Sequence, residues 1–214
     1  MPKAILFDLD GTLSDTVDLI LDSYDHAVFE VLGRHSDREA HRHWIGRPLW
    51  DTFATLYGEE AAKPMVEIYD KWNMEMTPKL AKPFPGVHEL LAELQEAGYR
   101  LGVVTAKRIH AAQLTVDSVG LGDVIQIAAS ASDTEIHKPN PEPLLKGAEV
   151  LGVDPADCVY VGDAVTDIQA AQAAQMIPIA VTWGAATEAE LAAAGPAAIA
   201  HTAAELGVVL RQTT

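Results

Sequence analysis

Four aspartates of this sequence stand just after short apolar runs. Asp8 and Asp10 come after the first run, and Asp163 and Asp167 come after a later one. Carboxylates that meet in one place repel each other and raise one another's pKa unless a cation is present. Their oxygens suit a hard divalent ion, and Mg²⁺ typically takes one or two protein carboxylates and completes its octahedron with water and phosphate. The pattern therefore predicts a Mg²⁺ site at which a phosphate group could bind.

A hydroxyl and an ammonium group stand at comparable places in the chain. Thr105 follows the apolar run 101–104, and Lys138 lies in the loop after the next run. In a parallel α/β sheet, ligands bind beyond the carboxyl ends of the strands, so these two residues would face the same edge as the aspartates. A divalent ion there would let an anionic nucleophile approach an anionic phosphoryl group, which Coulomb repulsion otherwise opposes. Phosphoryl transfer is the chemistry that this set of residues predicts.

Each of these positions also has a purely structural interpretation. Asp8 and Asp10 could simply turn the chain at a strand end, where Asp is common. Thr105 and Asp163 could each cap the helix that follows, and Lys138 could be a solvated loop residue. The case for a site rests on their occurring together, each after its own strand.

Short apolar, β-branched runs alternate with helical patterns along much of the chain. Each run is typical of a strand that is buried on both faces. Repeated strand-then-helix units predict an α/β fold, a Rossmann-like doubly wound parallel sheet with helices on both sides. The predicted strands are residues 4–7, 101–104, 124–127, 159–161 and 177–181. The Ala-rich segment 185–200 is explained by helix propensity.

The first two predicted strands are separated by far more chain than a single crossover helix needs. The chain between them is mostly helical in pattern, with residues such as Val17 and Ile20 on one face. We interpret residues 15–81 as an inserted α-helical cap domain. Residues 1–14 and 82–214 then form the α/β core domain.

Composition narrows the classes of partner. The chain carries 15 Lys and Arg against 31 Asp and Glu, a formal charge of −16. No clustered run of positive residues could follow a phosphate backbone, so nucleic acid is not expected as a partner. No apolar stretch is long enough to span a membrane, and the first apolar run, which ends at Asp8, is too short and its flanks too charged for a signal peptide. We expect a cytoplasmic protein that is a monomer or a homodimer.

Taken together, the motifs resemble those of the haloacid dehalogenase superfamily, and the resemblance covers nearly the whole chain. The matching segments are Asp8-Leu9-Asp10-Gly11-Thr12, Val103-Val104-Thr105, His137-Lys138-Pro139, and Gly162-Asp163 followed by Asp167. Each segment alone would be weak. All four occur in the right order, each after its own predicted strand, which chance convergence does not explain.

The resemblance implies how these residues would act on a phosphate ester. Asp8 would be the nucleophile that forms an aspartyl-phosphate. Asp10 would protonate the leaving oxygen and then activate water for hydrolysis of that intermediate. Thr105 and Lys138 would bind the phosphoryl oxygens, and Lys138 would also offset the charge of Asp8.

The resemblance also implies a set of metal ligands. Mg²⁺ would be held by the carboxylates of Asp8 and Asp163 and by the backbone carbonyl of Asp10. Asp167 would lie outside this set and orient a metal-bound water or Lys138, although direct ligation by Asp167 stays open.

Position 10 separates branches of the superfamily. The dehalogenases lack an acid at this position and do not use Mg²⁺, so Asp10 favours phosphoryl chemistry. Ile20 stands where a phosphomutase would carry a histidine. The first predicted cap helix, residues 16–32, contains no Lys that could form the Schiff base of phosphonatase-like enzymes.

Among phosphatases, the chain looks most like the phosphoglycolate phosphatase group and the related pyrophosphatases. This rests on the segments Ile45-Gly46-Arg47-Pro48-Leu49, Val104-Thr105-Ala106-Lys107 and Lys138-Pro139-Asn140-Pro141-Glu142-Pro143. Arg47 could bind a carboxylate or second phosphate of the substrate through paired hydrogen bonds, or it could be a surface residue. Ala106 stands where many of these phosphatases carry Asn, which removes a polar side chain from the phosphate pocket.

We therefore expect a Mg²⁺-dependent phosphatase that hydrolyses small phosphomonoesters, most similar to phosphoglycolate phosphatase, with a small phosphorylated metabolite as its partner. An inorganic pyrophosphatase of the same superfamily is the alternative. A sugar-phosphate phosphatase or phosphomutase is less favoured, as is a catalytically silent regulator that binds a phosphorylated ligand. A silent protein would have no physical need to keep both Asp8 and Asp10.

Overall fold

The computed structural model describes residues 3–213, and its strands and helices alternate along most of that range. The strands are β1 Ala4–Phe7, β2 Ser14–Asp15, β3 Lys82–Pro83, β4 Arg100–Val104, β5 Gln126–Ala129, β6 Cys158–Gly162, β7 Ile177–Val181 and β8 Ala198–Ala200. The helices are α1 Val17–Leu32, α2 Arg38–Arg42, α3 Leu49–Tyr57, α4 Glu59–Leu80, α5 Val87–Glu96, α6 Ile109–Ser118, α7 Glu142–Leu151, α8 Val165–Ala173, α9 Glu188–Ala193 and α10 Ala203–Gln212.

Six of the strands form one parallel sheet in the order β5-β4-β1-β6-β7-β8. Strand β1 lies in the interior of the sheet between β4 and β6, and all four of its residues are buried. The order of the strands reverses around β1, and in such sheets a crevice opens at the carboxyl ends of the strands on either side of the reversal. The doubly wound α/β fold expected from the sequence is confirmed.

Alternate residues of β1 pack against opposite layers of helices, as the period of a strand requires. Ile5 and Phe7 belong to a cluster that includes apolar side chains of α5, α6 and α10. Ala4 and Leu6 belong to a second cluster on the other face, with side chains of α7 and α8. Both faces of the sheet are thus covered, which explains why β1 has no polar residue before Asp8.

Helices α1, α3 and α4 pack around one hydrophobic cluster, in which Tyr24, Phe53 and Met65 are buried, and His41 of α2 stacks on Tyr24. The two segments that lead into and out of these helices pair as the short antiparallel strands β2 and β3. This pair lies where the sequence predicts the boundaries of the cap. We propose residues 15–81 as the cap domain and residues 1–14 and 82–214 as the core domain.

The helical cap touches the core on two sides of the sheet edge. On one side, the Arg108 guanidinium lies 3.5 Å from the Asp70 carboxylate of α4. On the other, the His43 imidazole lies 3.6 Å from the Glu190 carboxylate of α9. A cavity of about 740 Å³ opens between cap and core and reaches the carboxyl end of β1.

Two details of the chain differ from the sequence prediction. Strand β5 begins at Gln126, two residues later than expected, because the amides of Val124 and Ile125 donate instead to the Leu121 carbonyl in a turn after α6. The Ala-rich segment is not helical throughout: only α9 is a helix, and β8 adds an edge strand beside β7.

Within residues 3–213, no helix has both the length and the apolar character needed to cross a membrane.

Candidate active site

Asp8 is the first residue after β1 and continues its alignment with β6, since its amide donates to the Val161 carbonyl at 2.8 Å. The side chain is buried, and its Oδ1 accepts a hydrogen bond from the Lys138 ammonium at 2.8 Å. Asp8 also lines the cavity between cap and core. The carboxylate therefore sits at the cavity floor with a cation on its inner side.

Lys138 is a buried ammonium with three oxygen partners. Besides Asp8, its Nζ donates to Asp167 Oδ1 at 2.6 Å and to the Tyr160 hydroxyl at 3.0 Å, and that hydroxyl donates to the Val104 carbonyl at 3.0 Å. Burial by itself lowers the pKa of Lys138, but the negative charges of Asp167 and Asp8 outweigh it and hold the pKa well above its usual value. Lys138 is thus a positive charge held against the Asp8 carboxylate.

Asp163 is held by two donors from neighbouring loops. Its Oδ1 accepts from the Thr12 hydroxyl at 3.0 Å, and its Oδ2 accepts from the Ala185 amide at 2.7 Å. Two glycines make room for this carboxylate, because a Cβ at Gly11 or Gly184 would collide with it. The loops after β1, β6 and β7 therefore meet around Asp163.

Asp8, Asp163 and Asp167 form a cluster in which one oxygen from each lies within 4.8 Å of the others. Burial is the main cause that raises the pKa of Asp8 to about 7, partly offset by Lys138 and reinforced by repulsion from Asp167. Burial raises the pKa of Asp163 well above its usual value, and repulsion from Asp8 and, to a smaller extent, from Asp167 adds to the increase. Lys138 balances only one of the three carboxylates. A divalent cation would balance the other two, so the donor set fits Mg²⁺ in charge and in ligand type.

Asp167 faces Lys138 and the backbone of its own helix. Its Oδ1 accepts from Lys138, and its Oδ2 accepts from the Ala164 amide at 3.0 Å at the start of α8. Gly162 makes room for it, because a Cβ there would collide with the Asp167 side chain. Both oxygens of Asp167 thus have protein partners.

Asp10 lies at the wall of the same cavity. Its Oδ1 accepts from the Thr16 hydroxyl at 2.6 Å and from the Lys107 ammonium at 2.6 Å. Thr105, which directly follows β4, is buried and also lines the cavity. Its hydroxyl accepts a hydrogen bond from the Lys107 amide at 3.2 Å. The structure therefore brings Asp8, Asp10 and Thr105 to one cavity.

Arg47 reaches this cavity from the cap, in the loop between α2 and α3. Its side chain is exposed, and the guanidinium carbon lies 5.0 Å from the centre of the Trp44 ring. Stacking on an aromatic ring stabilises the positive charge of the guanidinium and leaves most of its N–H donors exposed to solvent. Arg47 thus lines the cavity from the cap, and its role in binding substrate stays a prediction.

Four residues at the site were not among those predicted from sequence: Thr12, Thr16, Lys107 and Tyr160. Tyr160 carried a usable signal, because a tyrosine in the middle of a fully buried strand needs a buried partner for its hydroxyl. Lys107 belongs to the motif Val104-Thr105-Ala106-Lys107, but its spacing from Thr105 does not indicate which group its ammonium contacts. Thr12 belongs to the motif at residues 8–12, but the motif did not indicate its contact with Asp163. Thr16 is a common cap residue type and carried no distinct signal.

Comparisons with known proteins identify the family to which the chain belongs. Residues 5–181 match the family model described as haloacid dehalogenase-like hydrolase. Pyrophosphatase PpaX of Bacillus velezensis is 36% identical over 180 residues, which cover 84% of this chain and 83% of that protein.

Two solved structures share the fold over nearly the whole chain. A haloacid dehalogenase-like family protein of Streptococcus pneumoniae is 26% identical with a TM-score of 0.85, covering 100% of this chain and 99% of the other. A predicted phosphoglycolate phosphatase of Haemophilus somnus 129PT is 24% identical with a TM-score of 0.83, covering 99% and 98%. The carboxylate cluster, the family match and the similar sequences lead to one conclusion: this chain belongs to the haloacid dehalogenase-like hydrolase family.

Proposed function

We propose that this protein is a Mg²⁺-dependent phosphatase that hydrolyses small phosphomonoesters through an aspartyl-phosphate at Asp8. The observation that carries the proposal is the setting of Asp8 at the cavity floor, with Lys138 behind it and Asp163 beside it. In this setting the Lys138 ammonium partly balances the negative charge of Asp8, which reduces its repulsion from the phosphoryl group. The relatives named as pyrophosphatases and phosphoglycolate phosphatases support phosphate-bond hydrolysis.

The first step forms a covalent intermediate. An Asp8 carboxylate oxygen attacks the phosphorus, the bond from phosphorus to the leaving oxygen breaks, and Asp10 gives its proton to that oxygen. In the second step Asp10 takes a proton from water, the water oxygen attacks the phosphorus, and the bond from phosphorus to Asp8 breaks. Inorganic phosphate leaves, and both aspartates return to their starting states.

The metal-binding and phosphate-binding roles are proposals on the same footing. The carboxylates of Asp8 and Asp163 and the Asp10 carbonyl would hold Mg²⁺, which supplies charge neutralisation and polarisation of the phosphoryl group. Thr105 and Lys138 would bind the phosphoryl oxygens. The partners of Asp167 favour an outer role, in which it orients Lys138 instead of ligating the ion.

The test of this proposal is the variant Asp8→Asn, which keeps the shape of the side chain but removes the nucleophile. We expect it to abolish Mg²⁺-dependent hydrolysis of p-nitrophenyl phosphate while its circular dichroism spectrum stays that of the wild type. Asp157→Asn is a matched control, because Asp157 lies at the opposite end of β6 and pairs with Lys3. Full activity in Asp8→Asn would rule out the mechanism.

Pyrophosphate is the second candidate substrate, and the 36% identity with a named pyrophosphatase specifically favours it. Phosphoglycolate and pyrophosphate differ in whether the leaving group is glycolate or a second phosphate. Their kcat/KM values with Mg²⁺, measured on the same preparation, decide between them. If the protein hydrolyses no phosphate ester, p-nitrophenyl phosphate included, and a phosphorylated metabolite still binds, the silent-regulator alternative is favoured.

A further inference from the structure

Asp10 is held by two donors that come from different parts of the fold. Thr16 stands directly before α1, and Lys107 lies in the loop between β4 and α6. Each places its donor atom 2.6 Å from the same oxygen, Asp10 Oδ1. With Oδ1 held in this way, Oδ2 is the oxygen left for a ligand in the cavity.

The position of Lys107 is itself fixed by the core. Its amide donates to the Thr105 hydroxyl at 3.2 Å, and its carbonyl accepts from the Ala131 amide at 2.9 Å. Its side chain is only 12% exposed although it belongs to a loop. The ammonium is therefore a rigid element of the cavity wall, attached to both β4 and the loop after β5.

We propose that Lys107 is a positioning residue for Asp10, which it holds through Oδ1 so that Oδ2 is presented to the leaving-group oxygen. The proposal rests on the proposed function, in which Asp10 protonates that oxygen as the bond from Asp8 to phosphorus forms. A proton donor acts only within hydrogen-bond reach of its acceptor and in the correct orientation. Thr16 alone would leave the carboxyl group free to rotate about a single hydrogen bond.

The competing interpretation is that Lys107 binds an anionic group on the leaving side of the substrate. The two interpretations predict different substrate dependences. A positioning residue matters for every leaving group that needs a proton, whether or not that group carries a charge. An anion-binding residue matters only when the leaving group is charged.

The experiment compares kcat/KM for three esters: p-nitrophenyl phosphate, glycerol phosphate and phosphoglycolate. The p-nitrophenolate ion leaves without a proton, whereas the two alkyl leaving groups require one. Among the three intact esters, only phosphoglycolate carries a charged group outside its phosphate. The constant kcat/KM reports the steps up to release of the leaving group, so the later use of Asp10 as a base does not affect it.

We expect Lys107→Met to lower kcat/KM for both alkyl phosphates by about tenfold or more, a fraction of the contribution of a general acid. The loss should be less than about threefold for p-nitrophenyl phosphate, and Lys107→Arg should restore part of the alkyl activity. Lys146→Met removes an exposed lysine of α7 that pairs with Glu149 outside the cavity, and it should leave the ratio of alkyl to aryl activity unchanged.

Three results would overturn the proposal. Equal losses for all three esters would show a general structural or phosphoryl-binding role, and a loss confined to phosphoglycolate would show an anion-binding role. No loss at all would show that Lys107 is dispensable. Failure of the proposed function is a distinct outcome, because the wild-type protein would then hydrolyse none of the esters.

Discussion

At the scale of single residues, the site depends on how buried charges are paired. Lys138 is the central case, since its buried ammonium contacts two carboxylates and the Tyr160 hydroxyl. Breaking a buried ion pair by removing one partner typically costs about 3–5 kcal/mol, because the remaining charge is left uncompensated. The pairing therefore supports folding and also keeps a positive charge beside Asp8.

The Tyr160 hydroxyl can be tested by the variant Tyr160→Phe. It removes an acceptor from Lys138 and a donor from the Val104 carbonyl, both buried. We expect the free energy of unfolding in urea to fall by about 1–3 kcal/mol with an unchanged m value. Tyr99→Phe changes a partly exposed tyrosine and serves as the control. Equal stability of Tyr160→Phe and the wild type would show that the hydroxyl does not support the buried network.

At the scale of secondary-structure elements, the loops after β1, β4, β5, β6 and β7 build the site at the carboxyl ends of the strands. Their close approach depends on small residues, since Gly11 and Gly184 border Asp163. The Trp183 indole donates to the Thr12 carbonyl at 3.0 Å and so joins the loop after β7 to the loop after β1. These contacts between loops position the carboxylates relative to one another.

Gly11→Ala tests this packing of loops. Gly11 has φ of 83°, so Ala is strained there by about 1–2 kcal/mol, and its Cβ would also collide with the Asp163 carboxylate. We expect the Mg²⁺ concentration for half-maximal activity to rise about 10- to 100-fold. Gly98→Ala is the matched control, because Gly98 has φ of 87° and open space around it. If both variants keep the Mg²⁺ requirement of the wild type, the packing around Asp163 is unimportant.

The cap loop carries a prediction of its own. Arg47 lines the cavity from the cap side and is exposed, so its guanidinium can turn from Trp44 to a ligand. Arg47→Ala should raise KM for phosphoglycolate by about tenfold, the value of a hydrogen bond to a charged group. The KM for a phosphate ester with an uncharged leaving group should change much less. Equal effects on both esters would show that Arg47 does not read the leaving group.

How well the sequence predicts a structural feature depends on whether neighbouring residues in the chain determine that feature. Strand β1 was predicted because its four apolar residues end sharply at Asp8. The strand β8 was missed because Ala and Ile in a short edge strand differ little in pattern from the Ala-rich helix before it. The roles of Lys107 and Tyr160 were missed because each depends on a partner distant in the chain, Asp10 and Lys138 respectively.

At the scale of the whole molecule, folding gathers like charges into one place. The chain has a formal charge of −16, and three of its carboxylates are buried together at the sheet edge. Folding without a cation therefore works against electrostatic repulsion and desolvation, as the raised pKa values of Asp8 and Asp163 show. A bound cation would relieve this repulsion, as the proposed Mg²⁺ site requires.

The repulsion and desolvation of the buried carboxylates predict how Mg²⁺ stabilises the protein at different pH values. The pKa of Asp8 is about 7 in the folded protein against an ordinary value of 3.8, so the folded state binds the proton more tightly. The metal-free protein should therefore lose stability as pH rises between these two values, and Mg²⁺ should restore it because it binds the ionised carboxylates.

Thermal unfolding with Mg²⁺ or EDTA measures this effect. At a Mg²⁺ concentration about 100 times the dissociation constant, the ion should add about 2.7 kcal/mol near pH 8, and clearly less near pH 5, where protons compete. Asp163→Asn should reduce the Mg²⁺ effect. A larger stabilisation near pH 5 than near pH 8 would contradict the assignment of these carboxylates to the ion.

The most direct measurement is chemical trapping of the phosphorylated residue during turnover. Borohydride reduces an aspartyl-phosphate to homoserine, which tandem mass spectrometry can locate within the peptide that contains both Asp8 and Asp10. We expect homoserine at position 8 only when Mg²⁺ and a phosphate ester are both present, and none in Asp8→Asn. Turnover with no homoserine at position 8, or homoserine at position 10 instead, would contradict nucleophilic catalysis by Asp8.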